Sequence, residues 1–212
     1  MENKKFEKRF LLFVIGQFFI LIGTLNIGAN FKVLPSWFDN FLFAIIIGIV
    51  LFHFSLVRLY KINRNFLRSY IALIVYTILV LLVDVCSRSK DDFYLAWSRG
   101  LETSVDFIAC VLYVYFFLGT SDYFKDDSLD KGKKQSKTTA IVLIVLFIIE
   151  RTLAFIASLN ITKQNLVLFS ICRFGSWGMQ FVIHIYVFVI LLTIFVFVKK
   201  RKKEALTDEE TA

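Results

Sequence analysis

Two charged residues stand side by side in an apolar stretch of the chain, Ile148–Ile156 (IIERTLAFI). A charge buried in lipid is expensive, so Glu150 and Arg151 each require a partner there. Adjacent residues of a helix point about 100° apart, so we expect each side chain to find its partner on another segment. Ionisable groups inside a membrane commonly belong to substrate or proton pathways. The pair therefore marks the first candidate site.

The fourth apolar segment carries a second candidate set. Glu102, Asp106 and Tyr113 follow the spacing of one helix face, which predicts that they point towards protein or water rather than lipid. We expect both carboxylates to lie inside the helix bundle. Arg151 is predicted at a comparable depth, which makes it the expected counter-ion of Glu102 or Asp106.

The last apolar segment carries the third set. Arg173, Gln180 and His184 also share one helix face, and His184 is predicted at a depth close to that of Glu150. We therefore expect Glu150 to pair with His184 or with Arg173. The complete predicted polar network contains Glu102, Asp106, Tyr113, Glu150, Arg151, Arg173, Gln180 and His184.

Such a network favours a polar site that opens to the outside between helices 4, 5 and 6. The function expected from it is that of a small carrier or permease-like protein for a small polar ligand, alone or together with other membrane subunits. The alternative is a non-catalytic accessory protein, for example an immunity, sensor or assembly factor, whose charges only specify helix packing. An intramembrane enzyme using Glu102, Asp106 and His184 ranks lowest, because no motif fixes a nucleophile or an acid. We expect no catalytic residue and no enzyme activity.

The chain has three cysteines, Cys86, Cys110 and Cys172, and their spacing does not match a metal site. The first and last fall near the outer ends of their segments, so a disulfide between them and separate packing as small hydrophobic residues are both open. The sequence also contains none of the common nucleotide-binding or hydrolase signatures. No metal and no cofactor is therefore expected.

Composition places these residues in a membrane protein. The chain has 212 residues, of which 58% are hydrophobic, with 25 Phe and a single Pro. Soluble domains are nearer half apolar, and the apolar blocks here approach the ~20 residues that cross a bilayer as a helix. We predict an all-α, polytopic integral membrane protein. Its six transmembrane helices are predicted at 10–30, 38–58, 66–87, 99–119, 138–161 and 176–198.

Two details of this architecture follow from the end of the chain. The last apolar run, Asn165–Val198, would span ~50 Å as one helix, which is longer than a bilayer requires. We therefore expect Arg173 and the GSWG of 175–178 to separate a short interfacial or re-entrant segment from the last helix. Residues 1–203 form the predicted single domain, 204–212 a short disordered acidic tail, and 121–137 a mobile linker.

The distribution of Lys and Arg predicts the orientation. With the N-terminus inside, 18 of the 25 Lys and Arg residues fall on cytoplasmic segments, which predicts that both termini are cytoplasmic. The same distribution accounts for the net charge of +8, so no nucleic acid is expected as a partner. The expected partner is the lipid bilayer. The abundance of Phe, Ile, Lys and Asn is typical of an AT-rich bacterial genome, so the expected location is a bacterial plasma membrane.

Overall fold

Six helices account for nearly all of the part of the chain that the computed structural model describes, residues 2–25, 41–87, 92–124, 130–162 and 165–211. Lipid offers no hydrogen-bond partners to a backbone, and a helix satisfies its own. The all-α prediction is confirmed, and the described residues form six helices. They are α1 Glu2–Leu25, α2 Phe41–Leu59, α3 Arg64–Ser87, α4 Asp92–Tyr123, α5 Asp130–Thr162 and α6 Leu166–Thr211.

Four of these helices are long and apolar enough to cross a membrane, judged by length and composition. The corresponding segments are Arg64–Cys86, Gly100–Tyr123, Lys131–Leu159 and Leu166–Lys199, and a shorter apolar helix covers Phe43–Leu59. The chain is therefore a membrane-type helical protein. The predicted end of the first span at residue 30 and the start of the second at 38 lie outside the described residues.

The predicted break before the last helix is wrong, because α6 runs without interruption for 46 residues. Gly175 and Gly178 each cost a helix only about 1 kcal/mol, which the long apolar runs on both sides readily offset. A helix longer than a bilayer can also extend beyond it into water. Helix α6 also continues to Thr211, within the acidic tail that was expected to be disordered.

The mobile linker predicted at 121–137 is largely helical. Helix α4 continues to Tyr123 and α5 begins at Asp130, so the described residues of this stretch belong almost entirely to the two helices. Spans predicted from hydropathy end where the apolar run ends, whereas a helix can continue into water with polar residues.

Contacts divide the chain into two compact units, residues 1–55 with 145–212, and residues 56–144. In the first unit α1 packs along α6. The first part of α2 packs against α1, where the rings of Phe13 and Phe52 stack with centroids 4.0 Å apart. Gly16 and Gly48 allow this approach, since a Cβ on Gly48 would lie 2.8 Å from the carbonyl oxygen of Gly16.

The second unit is built on the pairing of α3 with α4. Phe66 lies against Gly119, where an added Cβ would come within 2.8 Å of the ring. The side chain of Asn63 caps α3 by accepting a hydrogen bond from the Phe66 amide at 3.0 Å. Its amide nitrogen also donates to the Gly119 carbonyl at 2.9 Å. One side chain thus caps the N-terminus of α3 and joins this helix to α4.

Candidate functional site

The first unit contains a fully buried carboxylate in the apolar part of α5. Glu150 is 0% exposed, and Arg151 next to it is 28% exposed. Nε of Arg151 donates to Oε2 of Glu150, and Nη2 donates to Oε1. Ser176 of α6 donates its hydroxyl to the same Oε1 at 2.6 Å. The carboxylate therefore accepts three hydrogen bonds, two of them from a cation.

The expectation that Glu150 and Arg151 would turn to separate partners is wrong. Adjacent Cβ atoms do diverge, but the long arginine side chain can bend back along the helix surface. Its planar guanidinium then meets both carboxylate oxygens with parallel N–H groups, which is the strongest geometry for this type of pair. The outcome is a locally neutral pair within one helix.

Glu150 does face α6, as expected, but its partner there differs from both predicted ones. Ser176 takes the position expected for His184 or Arg173. Arg173 is exposed, and it makes no ion pair with a residue that the structure describes. Its place near the start of the apolar segment Leu166–Lys199 lets the long side chain reach towards water.

His184 binds α1 instead. The amide nitrogen of Gln17, a fully buried residue, lies 3.2 Å from Nδ1 of His184 and 3.3 Å from its backbone carbonyl oxygen. An amide nitrogen only donates, so Nδ1 acts as the acceptor and the neutral ring carries its proton on Nε2. This bond joins α1 to α6 through polar groups in an apolar environment.

These contacts define a polar row on α6. Ser176, Gln180 and His184 follow one another at intervals of four residues and so share one helix face. Ser176 reaches Glu150 of α5, and His184 reaches Gln17 of α1. Gln180 is half-buried between them. Two contacts thus lie along the row, that of Ser176 with the Glu150–Arg151 pair and that of His184 with Gln17. They include three predicted residues, Glu150, Arg151 and His184, and two that were not predicted, Gln17 and Ser176.

The predicted residues of α4 belong to the second unit. Tyr113 is 2% exposed and Asp106 is half-buried. Glu102 is exposed, which contradicts its predicted place inside the bundle. The apolar segment of α4 begins at Gly100, so Glu102 lies within the first turn of that segment, where a carboxylate can reach water.

The remaining candidate groups bear on redox and metal chemistry. Cys86, Cys110 and Cys172 are all free thiols, so the disulfide alternative is not adopted. Among the residues that the structure describes, no three His, Cys, Asp or Glu side chains are grouped as metal ligands would be.

Comparison with models of protein families, with curated proteins and with solved structures yields no match to this chain. The contacts that bear on function are those of Gln17, Glu150, Arg151, Ser176 and His184, together called the polar cluster, and they form two sets about 12 Å apart along α6.

Proposed function

We propose that the chain crosses a bacterial plasma membrane six times, with both termini in the cytoplasm. Four long apolar helices and the shorter Phe43–Leu59 support five of the crossings. The sixth is α1, whose second half is apolar and whose first half carries Lys4, Lys5, Lys8 and Arg9. Basic residues at the inner end of a first span favour a cytoplasmic N-terminus.

Within this architecture we propose a proton-coupled carrier for a small anion. The observation that carries the proposal is a fully buried carboxylate, Glu150, held by an arginine that is 28% exposed, inside an apolar helix. Ionisable residues at such positions are costly and commonly serve transport. No catalytic step is part of this function.

The chemistry is a competition for Arg151. A proton that binds the Glu150 carboxylate removes its negative charge and weakens the pair with the guanidinium. An incoming carboxylate or phosphate can then take the same two N–H donors, because guanidinium groups bind both anions in a bidentate manner. Loss of the proton restores the pair and expels the anion, so proton and anion move in the same direction.

The second candidate is an accessory protein in which the cluster only fixes helix packing. The observation in its favour is that both oxygens of Glu150 are already satisfied, by Arg151 and by Ser176. Buried pairs of this kind can specify one arrangement of helices without adding much stability.

One experiment separates the two functions. The purified protein is reconstituted into liposomes that contain a pH-sensitive dye. Chloride, phosphate or malate is then added outside, which creates an inward gradient of that anion. A carrier acidifies the interior faster than protein-free liposomes do with at least one of the three, and Glu150→Gln abolishes this while Ser170→Ala preserves it. Ser170 is a suitable control because its hydroxyl is exposed and donates to the Leu166 carbonyl of its own helix. Absence of acidification with all three anions rejects the carrier and leaves the packing role.

A further inference from the structure

The first turns of α5 carry a concentrated positive charge. Lys131, Lys133, Lys134 and Lys137 lie within seven consecutive residues, and none forms an ion pair within the described part of the chain. A surface depression of about 360 Å³ lies on this part of the helix. Its lining consists of Lys133, Lys134, Lys137, Thr138 and Ile141.

This arrangement of cations is unfavourable, and Asp130 at the start of α5 offsets only one of the four positive charges. The start of a helix carries a partial positive charge from its unpaired amide groups, so cations placed there are destabilising. Lysines one turn apart, such as Lys134 and Lys137, also repel each other. A bound anion would relieve both effects. The hydroxyl of Thr138 lies beside these lysines and can donate a further hydrogen bond to an oxyanion.

The same face of α5 continues as an exposed apolar row. Ile141, Ile144 and Ile148 follow the lysines at intervals of three and four residues, and they are 64%, 43% and 60% exposed. The row belongs to the apolar segment Lys131–Leu159, which is long enough to cross a membrane. A cationic depression followed directly by an apolar strip matches a molecule with an anionic head and a hydrocarbon chain.

We propose that this depression, which we call the α5 lysine site, binds the phosphate group of an anionic phospholipid. Lys134, Lys137 and Thr138 hold the phosphate, and the acyl chain lies along Ile141 and Ile144. The site does not depend on carrier activity. A free phosphate ion offers the same oxyanion chemistry without the chain, so the experiment includes both sources.

The test measures binding of dioleoyl phosphatidylglycerol, dioleoyl phosphatidylcholine and inorganic phosphate to the purified full-length protein in a neutral detergent. The site is removed in Lys134→Gln/Lys137→Gln. The matched control, Lys131→Gln/Lys199→Gln, removes two exposed lysines that do not line the depression. Native mass spectrometry counts the lipids retained, and titration gives the affinity.

We expect phosphatidylglycerol to bind in preference to phosphatidylcholine. The site variant should bind it about thirtyfold more weakly, and the control should change less than about twofold. Binding of inorganic phosphate without binding of phosphatidylglycerol would mean that the ligand is free phosphate, and it would overturn the lipid site. Binding of phosphatidylglycerol alone would mean that the acyl chain is required, as proposed. Equal weakening by both double variants would mean diffuse attraction and would overturn the site, as would no binding of either ligand.

Discussion

At the scale of single residues, Arg151 stabilises the carboxylate of Glu150 inside an apolar helix. A charged group in the bilayer interior is tolerated when its hydrogen-bonding capacity is filled, and Arg151 and Ser176 fill that of Glu150. The Arg151 side chain is 28% exposed, whereas the Glu150 side chain is fully buried. The two members of the pair should therefore respond differently to substitution.

Replacing Arg151 should damage the protein more than replacing Glu150. Arg151→Gln leaves an unpaired buried carboxylate and should lower the free energy of unfolding by about 3–5 kcal/mol. Adding Glu150→Gln should recover most of this loss, because both charges are then gone. Thermal unfolding in detergent measures the series. Better recovery with Asp106→Asn than with Glu150→Gln would instead support the sequence-based pairing of Arg151 with α4.

Some residues of the polar cluster could be predicted from the sequence, and others could not, for a physical reason. Gln17 was a recognisable signal, since it is the only amide side chain within the apolar run of 10–22. Ser176 offered no such signal, because serines in helices commonly bond their own backbone, as Ser170 does here. The partner of His184 was likewise hidden, since which helices become neighbours depends on packing between segments distant in the chain.

At the scale of helices, apolar length predicted how many there are, and close contacts decide how they pack. The described residues form six helices, but hydropathy placed the break in α6 at Arg173 and GSWG, where the helix continues. Polar and small residues interrupt an apolar run without interrupting the backbone hydrogen bonds. The glycine contacts between α1 and α2 were not predicted, because the sequence does not show which glycines face another helix.

The contact of Gly16 with Gly48 predicts a position-specific effect of alanine. Gly48→Ala places a methyl group 2.8 Å from the carbonyl oxygen of Gly16 and should destabilise the protein by about 1–3 kcal/mol. Gly178→Ala meets nothing within 4 Å and should stabilise its helix by up to about 1 kcal/mol. Melting temperatures of the two variants should shift in opposite directions. A similar change in both would mean that the helix approach does not require a glycine at 48.

The double role of Asn63 can be divided by two substitutions. Asn63→Ala removes the cap of α3 and the bond to Gly119, and should cost about 2 kcal/mol in total. Asn63→Ser keeps a capping hydroxyl but cannot span to α4, so it should cost about half as much. Chemical denaturation of the three proteins gives the comparison. Equal stability of the serine variant and the natural protein would mean that the hydrogen bond to Gly119 does not stabilise the fold.

At the scale of the whole molecule, composition alone was sufficient for the class. A mean hydropathy of +0.69 and blocks of apolar residues predict a membrane protein, and the four long apolar helices agree with this. The side on which each end lies depends on the membrane itself, so it requires a measurement in cells.

Labelling of single cysteines tests the predicted topology. In a variant whose three natural cysteines are replaced by alanine, Ser128→Cys should react with an impermeant maleimide only after the cells are opened, because the basic segment around it is retained inside. Ser89→Cys, on a predicted outer segment, should react in intact cells. Reaction of Ser128→Cys in intact cells would reverse the orientation proposed for every helix.

The adjacency of Glu150 and Arg151 has a consequence for biosynthesis. Helices enter the bilayer from the translocon in order of synthesis, so α5 must partition into lipid before α6 exists to supply Ser176. Each isolated charge at the centre of an inserting helix costs about 2.5–3.5 kcal/mol. Because the guanidinium and the carboxylate are neighbours in sequence, they can neutralise each other inside the nascent helix. The apolar part of α5, residues 138–162, can therefore leave the translocon with no net charge, and the bond to α6 is added afterwards.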